Sequence, residues 1–294
     1  MRILISGASG FIGGAVSSHF EQKGDEVVRL SRGGSSARTI VWDPEKAFLD
    51  REELEGFDVV IHLAGEPILG RWTADKKRRI FASRVESTRL LSQTLAALAH
   101  PPRCFLSASA VGYYGNRGEE VLTEESLPGN GFLSHVCIEW EHASKSLEKR
   151  GIRTLHTRFG TVLGKGGALS KLLLPYKLCL GGPLGTGQQW MSWVALEDLV
   201  RAIDFSLRDS TLSGPVNVVS PQPVRQLEFA HTLASLLHRP SFFPQPAWLL
   251  QLLFGDMARE VLLSSARVQP KKLLQAGFQF QSPDLKCSLQ KLIC

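Results

Sequence analysis

The stretch that most constrains the fold is the first fifteen residues, MRILISGASGFIGGA. Arg2 to Ser6 reads as a short apolar strand, and glycines follow at 7, 10 and 13. Apolar residues then recur at helical spacing, at Phe11, Ile12, Ala15, Val16 and Phe20. A strand that turns through glycine into a helix aims unpaired backbone N–H groups, and the positive end of the helix dipole, at whatever lies above the turn. Those donors suit a phosphate anion. Gly7 then allows the tight turn, Gly10 the close approach of a pyrophosphate, and Gly13 the packing of helix on strand. Phe11 and Ile12, the first residues of the helix, are placed with the glycines among the predicted contacts to a bound dinucleotide.

Further along, strand and helix patterns alternate. Glu26 to Ser31 is a second strand, Thr39 to Trp42 a third, and Phe57 to Gly65 an almost continuous apolar run of the kind buried on both faces of a parallel sheet. Thr73 to His100 reads as one long helix capped by Thr73 and closed by Pro101-Pro102. Cys104 to Ala110 is another strand, Glu139 to Arg150 lies in a helix ended by Gly151, and Thr154 to Phe159 is the sixth strand. Such alternation marks right-handed crossovers in a parallel sheet. The expected fold class is therefore α/β, a Rossmann-type doubly wound parallel sheet with a smaller C-terminal α/β substrate lobe. The sheet domain is placed at residues 1–160 and the lobe at 161–294, where the texture turns glycine-rich. Helices are expected over Ala168 to Leu180, Leu227 to Leu237 and Ala247 to Ser264.

The end of the second strand carries information about the ligand. Folds that prefer NAD place an acidic residue there for the ribose 2′-hydroxyl, and it would repel a 2′-phosphate. This chain has Ser31-Arg32 instead, a hydroxyl beside a planar guanidinium that suits a phosphate. The reading is NADP(H), against the alternative of a plain surface arginine. The exit of the 57–65 strand, Leu63-Ala64-Gly65, is expected beside the cofactor at the carboxyl edge of the sheet. His62, inside the apolar run, reads as a core histidine.

Composition narrows the partners. The formal charge of +6 is scattered, and its densest run, Lys76 to Arg79, falls on the long helix and reads as a solvated face rather than a nucleic-acid site. No run of eighteen apolar residues suggests a membrane span, and the apolar run at residue 3 is too short for a secretory core. Five cysteines without a Cys-x-x-Cys argue for reduced thiols in a cytoplasmic protein and against a zinc site. The expected partner is a small-molecule substrate of unknown identity, with no nucleic acid, no membrane and a possible homodimer.

The residues also carry a resemblance. Gly7-x-x-Gly10-x-x-Gly13, Leu63-Ala64-Gly65 and the strand end at Ser109 resemble the extended short-chain dehydrogenase/reductase superfamily of nucleotide-sugar epimerases and dehydratases. Leu63 to Ile68, Arg71-Trp72-Thr73, Ser83-Arg84-Val85, Gly181 to Gln189 and Pro221 to Arg225 are similar to its atypical "epimerase family protein" group, around short-chain dehydrogenase/reductase family 39U. The resemblance covers the whole chain, with a family-specific segment at about 245–294. It implies bound NADP(H) with contacts from Ser31, Arg32, Leu63, Ala64 and Arg84; Gly65 and Ser107 are placed with them.

In the superfamily a serine, a tyrosine and a lysine move the proton that accompanies hydride transfer, with tyrosine and lysine at i and i+4 on one helical face. The resemblance aligns the serine with Ser109, but places Leu133 and Cys137 where tyrosine and lysine belong. Three readings follow: a substitute acid, with Tyr113 or Tyr114 the candidates at the rim of the site; an activated substrate that needs no strong acid; or a non-catalytic NADPH-binding sensor or scaffold. Gln188, Gln189, Trp190 and Trp193 offer hydrogen bonders beside flat apolar faces on the substrate side, or equally the packing of a glycine-rich loop.

Overall fold

Strands buried on both faces leave a sheet no choice but to be sandwiched. A computed structural model describes residues 1–34, 38–241 and 243–293. Its strands include β1 (Arg2–Ser6), β2 (Glu26–Ser31), β3 (Thr39–Asp43), β4 (Phe48–Leu49), β5 (Val59–His62), β6 (Cys104–Ala110), the short β7 (Val121–Leu122), β8 (Arg153–Phe159), β9 (Thr161–Leu163), β10 (Trp190–Met191), β11 (Trp193–Ala195) and β12 (Gly214–Val218). Eight of them form one sheet in the order β12-β8-β6-β5-β1-β2-β3-β4. Its neighbours are parallel except β3 and β4. Ile3, Ile5, Val59 and Ile61 pack with Val16 and Phe20 of helix α1 (Phe11–Gln22) on one face. Leu4, Val28, Val60 and Phe105 pack with Leu91 and Leu95 on the other. Successive residues of a strand face opposite ways, so both cores draw on the same strands. Each fully buried aliphatic or phenylalanine side chain contributes about 1.5–3 kcal/mol.

The expected long helix is built in three pieces: α2 (Ala74–Phe81), a π-helical turn over Ala82–Glu86, and α3 (Ser87–Ala96). Thr73 caps it as expected, its hydroxyl accepting from the Lys76 N–H at 3.1 Å. It stops at Ala96, short of His100, because Leu98 turns into the core. The expected helix over 139–150 is two, α4 (Phe132–His142) and α5 (Lys145–Lys149), and Gly151 at φ 79° ends the second.

One boundary differs from the expectation. The chain leaves the sheet after β8, builds β9, α6 (Gly167–Lys177), β10 and β11, and then returns. Helix α7 (Leu196–Arg208) packs its Leu199 and Ile203 into the core that holds α1, and β12 pairs with β8 in the main sheet. The lobe is therefore not the contiguous stretch 161–294. Val216 and Val218 of β12 have no exposed surface, which is what covers the β8 edge. After β12 come β13 (Val224–Arg225), α8 (Gln226–Leu236), α9 (Ala247–Phe254), a π turn over Ala258–Leu262, β14 (Arg267–Val268), α10 (Lys271–Gln275) and α11 (Leu285–Ile293). The helix expected over 247–264 breaks at Gly255, whose φ is 60°.

Candidate active site

At the carboxyl edge β1 hands over to Gly7, whose φ of 72° is a left-handed turn. A Cβ there would lie 2.7–2.8 Å from the backbone of Leu63 and Ala64, and one on Gly13 would lie 2.1 Å from the Gly7 carbonyl oxygen. Turn, helix α1 and the exit of β5 thus touch through backbone alone. Gly10 closes the turn by donating to Gly7 O at 3.0 Å, and the Gly14 N–H donates to Gly10 O. The N–H groups of Phe11, Ile12 and Gly13 precede the first helical bond, and no acidic residue or capping side chain occupies the first turn. Such a helix start leaves backbone donors free to face an anion. The Phe11 ring is held beneath the lobe: a Cβ on Gly164 or Gly167 would lie 2.7 or 2.8 Å from it.

His62 is a core residue, as expected. It is fully buried, and burial pushes it down to about 3, so it is neutral. Ser6 Oγ lies 2.5 Å from its Nδ1 and itself accepts from the Leu63 and Ala64 N–H groups, while Ser87 Oγ donates to Ser83 O. The pattern assigns Nδ1 as acceptor from Ser6 and Nε2–H as donor to Ser87, 3.3 Å away. This chain of bonds fixes the β5 exit against the glycine turn. At the end of β2, Ser31 Oγ donates to Gly33 O, and Arg32 is exposed with no ion pair among the described residues.

On the other side of the cradle, the π turn presents Arg84. Its guanidinium lies against Gly65, where a Cβ would come within 3.2–3.4 Å of it, and 5.2 Å from the Trp140 ring. Nη1 donates to the Glu66 carbonyl at 2.9 Å. Burial lowers its affinity for the proton, and the nearby Cys137 and Glu66 act against that. Ser107 lies inside the sheet with no exposed surface, and its carbonyl accepts from Thr157.

Ser109, near the end of β6 and only 2% exposed, is committed to a network that sequence reading missed. Its hydroxyl donates to Glu141 Oε1 at 2.7 Å. Arg158 of β8 clamps Glu141 with Nε and Nη2 at 2.8 and 2.7 Å. Arg158 Nη1 also donates to the Tyr114 hydroxyl, which donates to Asn217 Oδ1 at 2.7 Å. Burial alone would lower Arg158, but its bonds to Glu141 hold it above its ordinary range. Tyr114 is therefore no rim acid: it has no exposed surface, and burial pushes its hydroxyl up to about 12. Tyr113 is half-buried, with the Arg158 guanidinium 3.5 Å from its ring centre. Cys137 is buried and pushed up to about 12 by burial and by the Glu141 charge, so it is a packing thiol. One signal pointed to the network, an arginine in the middle of the apolar strand TLHTRF. Buried arginine without a partner is rare.

The four candidates of the glycine-rich stretch differ in their surroundings. Trp193 has no exposed surface and donates to Gln222 O, and Gln189 Nε2 donates to Leu184 O and Leu262 O. Trp190 stacks with Arg225 and Arg267 and donates to Glu119. Gln188 is exposed. All four cations of the 76–79 run pair with carboxylates, Lys76 with Glu66, Lys77 with Asp256, and Arg78 and Arg79 with Asp75. The N-terminus of α4 is capped from far away: Glu260 accepts from the N–H groups of Phe132 and Leu133 at 3.1 and 2.8 Å.

A profile of the NAD dependent epimerase/dehydratase family matches residues 3–219. The chain belongs to this family. A second profile, "Domain of unknown function (DUF1731)", matches residues 245–292, the segment that carries Glu260. Epimerase family protein YfhF of Bacillus subtilis is 37% identical over 299 residues, covering 100% of this chain and 98% of that protein. The crystal structure of human epimerase family protein SDR39U1 with NADPH superposes with a TM-score of 0.91 at 33% identity, covering 100% of this chain and 99% of that one. A nucleoside-diphosphate sugar epimerase from Corynebacterium glutamicum gives 0.82 at 31% identity, over 98% of this chain and 57% of that one.

The positions where the resemblance places tyrosine and lysine hold Leu133 and Cys137. Leu133 packs near the Gly112 position, with Cys137 one turn on. On the same face of α4, one further turn along, stands Glu141. Among the described residues no group of three His, Cys, Asp or Glu could hold a metal ion, and no helix is long and apolar enough to cross a membrane.

Proposed function

We propose that the chain binds NADP(H) along the carboxyl edge of its sheet and acts as an epimerase-type oxidoreductase on a small molecule. The observation that carries this reading is the closed cradle of Gly7, Gly10 and Gly13 with an exposed Arg32, which has no ion pair among the described residues, at the end of the neighbouring strand. The N–H groups of Phe11, Ile12 and Gly13 would hold the pyrophosphate, and Arg32 with Ser31 the 2′-phosphate. NADPH in the human SDR39U1 structure supports the same assignment.

The cofactor supplies hydride exchange at its nicotinamide carbon. Proton handling falls to the chain. Ser109 has its own proton directed at Glu141, so it meets a substrate as an acceptor. Its oxygen can take the proton of a substrate hydroxyl while its own proton passes to Glu141 Oε1, a proton held until it is returned. Arg158 orients Glu141 for this exchange. A cytoplasmic setting belongs to the same reading and is supported by free cysteines at 104, 137, 179 and 287.

The test is a pair of titrations. Arg32→Ala is expected to weaken NADPH binding by at least about tenfold and to leave NADH within about twofold, since only NADPH carries the 2′-phosphate. Equal losses for both cofactors would refute the assignment. NADPH oxidation against a panel of carbonyl compounds then tests turnover.

A further inference from the structure

Exposed apolar side chains collect where two stretches of the lobe meet. Leu174, Leu178 and Leu180 stand out of α6 and the residues after it, and Phe243, Trp248 and Leu252 out of α9 and the residues before it. The two stretches touch. Gln245 Nε2 donates to the Leu180 carbonyl at 3.0 Å, the Gly185 N–H donates to Gln245 O at 2.8 Å, and a Cβ on Gly182 would lie 2.1 Å from the Phe243 carbonyl oxygen. Leu174 with Leu178, and Trp248 with Leu252, are pairs one helical turn apart, so each pair shares a face. Single exposed apolar residues are ordinary on a protein surface, but a gathering of them marks a surface that another body covers.

The charge around this surface has one sign. Residues 160–196 and 229–255 contain no aspartate or glutamate, while Lys165, Lys171, Lys177 and Arg239 lie exposed within them. Lys171 and Lys177 stand three residues either side of Leu174, so they are its neighbours on the helix surface. Asp256, the first acid beyond α9, is already paired with Lys77 and Arg259. A second copy is a poor occupant, because two-fold pairing sets lysine against lysine with no acid to answer. A peptide groove is a poor description too: Phe243 and Trp248 are 66% and 68% exposed, so they protrude rather than line a cleft. Protruding tryptophan, phenylalanine and leucine beside lysine bed into the headgroup layer of a bilayer, with the lysines reaching anionic headgroups.

We propose that this face of α6 and α9 docks on the surface of an anionic lipid bilayer. The docking goes beyond the cofactor reading and does not depend on it. It replaces the expectation that no membrane takes part, which came from the lack of a spanning run. Lying on a bilayer requires no helix long enough to cross one. The apolar tips supply the contact, and the cations supply the preference for negative lipid. Each lysine near the surface strengthens partitioning roughly fivefold.

The experiment is co-flotation of the full chain with extruded vesicles, one set of phosphatidylcholine and one of phosphatidylcholine mixed with phosphatidylglycerol. Wild type is expected to partition at least about tenfold more strongly onto the mixed vesicles, and added salt should weaken that preference. Lys171→Gln with Lys177→Gln should remove most of it. Trp248→Ser with Leu252→Ser should lower binding to the mixed vesicles by about tenfold or more, while Leu127→Ser, at an exposed leucine outside both stretches, leaves it within about twofold. All these positions are exposed, so urea midpoints should stay near that of wild type. Wild type that floats with neither vesicle, or equally with both, would overturn the inference. So would binding that the four substitutions leave unchanged. A wild-type dimer that Trp248→Ser with Leu252→Ser dissociates in sedimentation would also overturn it, by assigning the face to a second copy.

Discussion

Two neighbouring glycines of one helix allow the cradle to be tested against its own control. Alanine in place of a helical glycine ordinarily stabilises by about 0.5–1 kcal/mol, because the unfolded chain loses freedom. At Gly14 nothing opposes that gain: a Cβ would lie 3.6 Å from the Ala8 carbonyl oxygen, an ordinary contact. At Gly13 the Cβ would lie 2.1 Å from Gly7 O, 2.7 Å from Gly7 C and 2.9 Å from Ala8 Cα, all of them backbone. Helix and turn would have to part by roughly 1 Å to restore van der Waals contact. Overpacking of this kind costs about 1–3 kcal/mol. It outweighs the entropic gain, so Gly13→Ala should lose about 1–2 kcal/mol overall while Gly14→Ala gains up to about 1. The same displacement carries the N–H groups of residues 11–13 away from the turn, so NADPH affinity should fall by more than about tenfold in Gly13→Ala alone. Urea unfolding midpoints and NADPH titrations of both variants supply the comparison. A Gly13→Ala protein as stable as Gly14→Ala, with wild-type NADPH affinity, would refute the close-packing argument.

Further outcomes follow from the buried polar groups. Glu141→Gln leaves the Arg158 charge uncompensated and should cost about 3–5 kcal/mol in thermal or urea unfolding, whereas the double change Glu141→Leu with Arg158→Met should recover most of it. No recovery would mean that shape rather than charge holds that corner. His62 gives a pH signature. Its folded value near 3 lies below the ordinary 6.5, so the unfolded chain binds a proton that the folded chain refuses. Its contribution is complete above pH 6.5 and falls toward pH 3 by up to about 1.4 kcal/mol per unit. His62→Gln should flatten unfolding stability across that window, and an unchanged slope would assign the acid sensitivity elsewhere.

Local chemistry was legible in the sequence and long-range chemistry was not. Gly7 to Gly13 announce their turn because each glycine's job is set within six residues, and the Thr73 cap and the bounds of β2 and β6 were readable for the same reason. The pairing of Glu141 with Arg158 joins two elements that meet only after the sheet is assembled, so the sequence offered an arginine in an apolar strand but not its partner. Tyr114 was misplaced because the backbone after β6 turns through a 3₁₀ segment, Val111–Tyr114, which sends one tyrosine inward to Asn217 while Tyr113 stays half-exposed. The return of the chain to the sheet at β12 was hidden because a short apolar strand reads alike in either lobe.

The Glu260 cap has a consequence for how the protein comes into being. Helix α4 carries Leu133, Cys137 and Glu141, and its first two N–H groups are satisfied by a carboxylate synthesised 127 and 128 residues later. Arg158 holds Glu141 opposite Ser109 at the far end of that helix, but its first turn is capped only when residue 260 folds back. The turn at Gly7 to Gly13 is closed by contacts within the first 64 residues, whereas the helix that faces Ser109 draws its cap from residue 260, so the two walls depend on opposite ends of the chain.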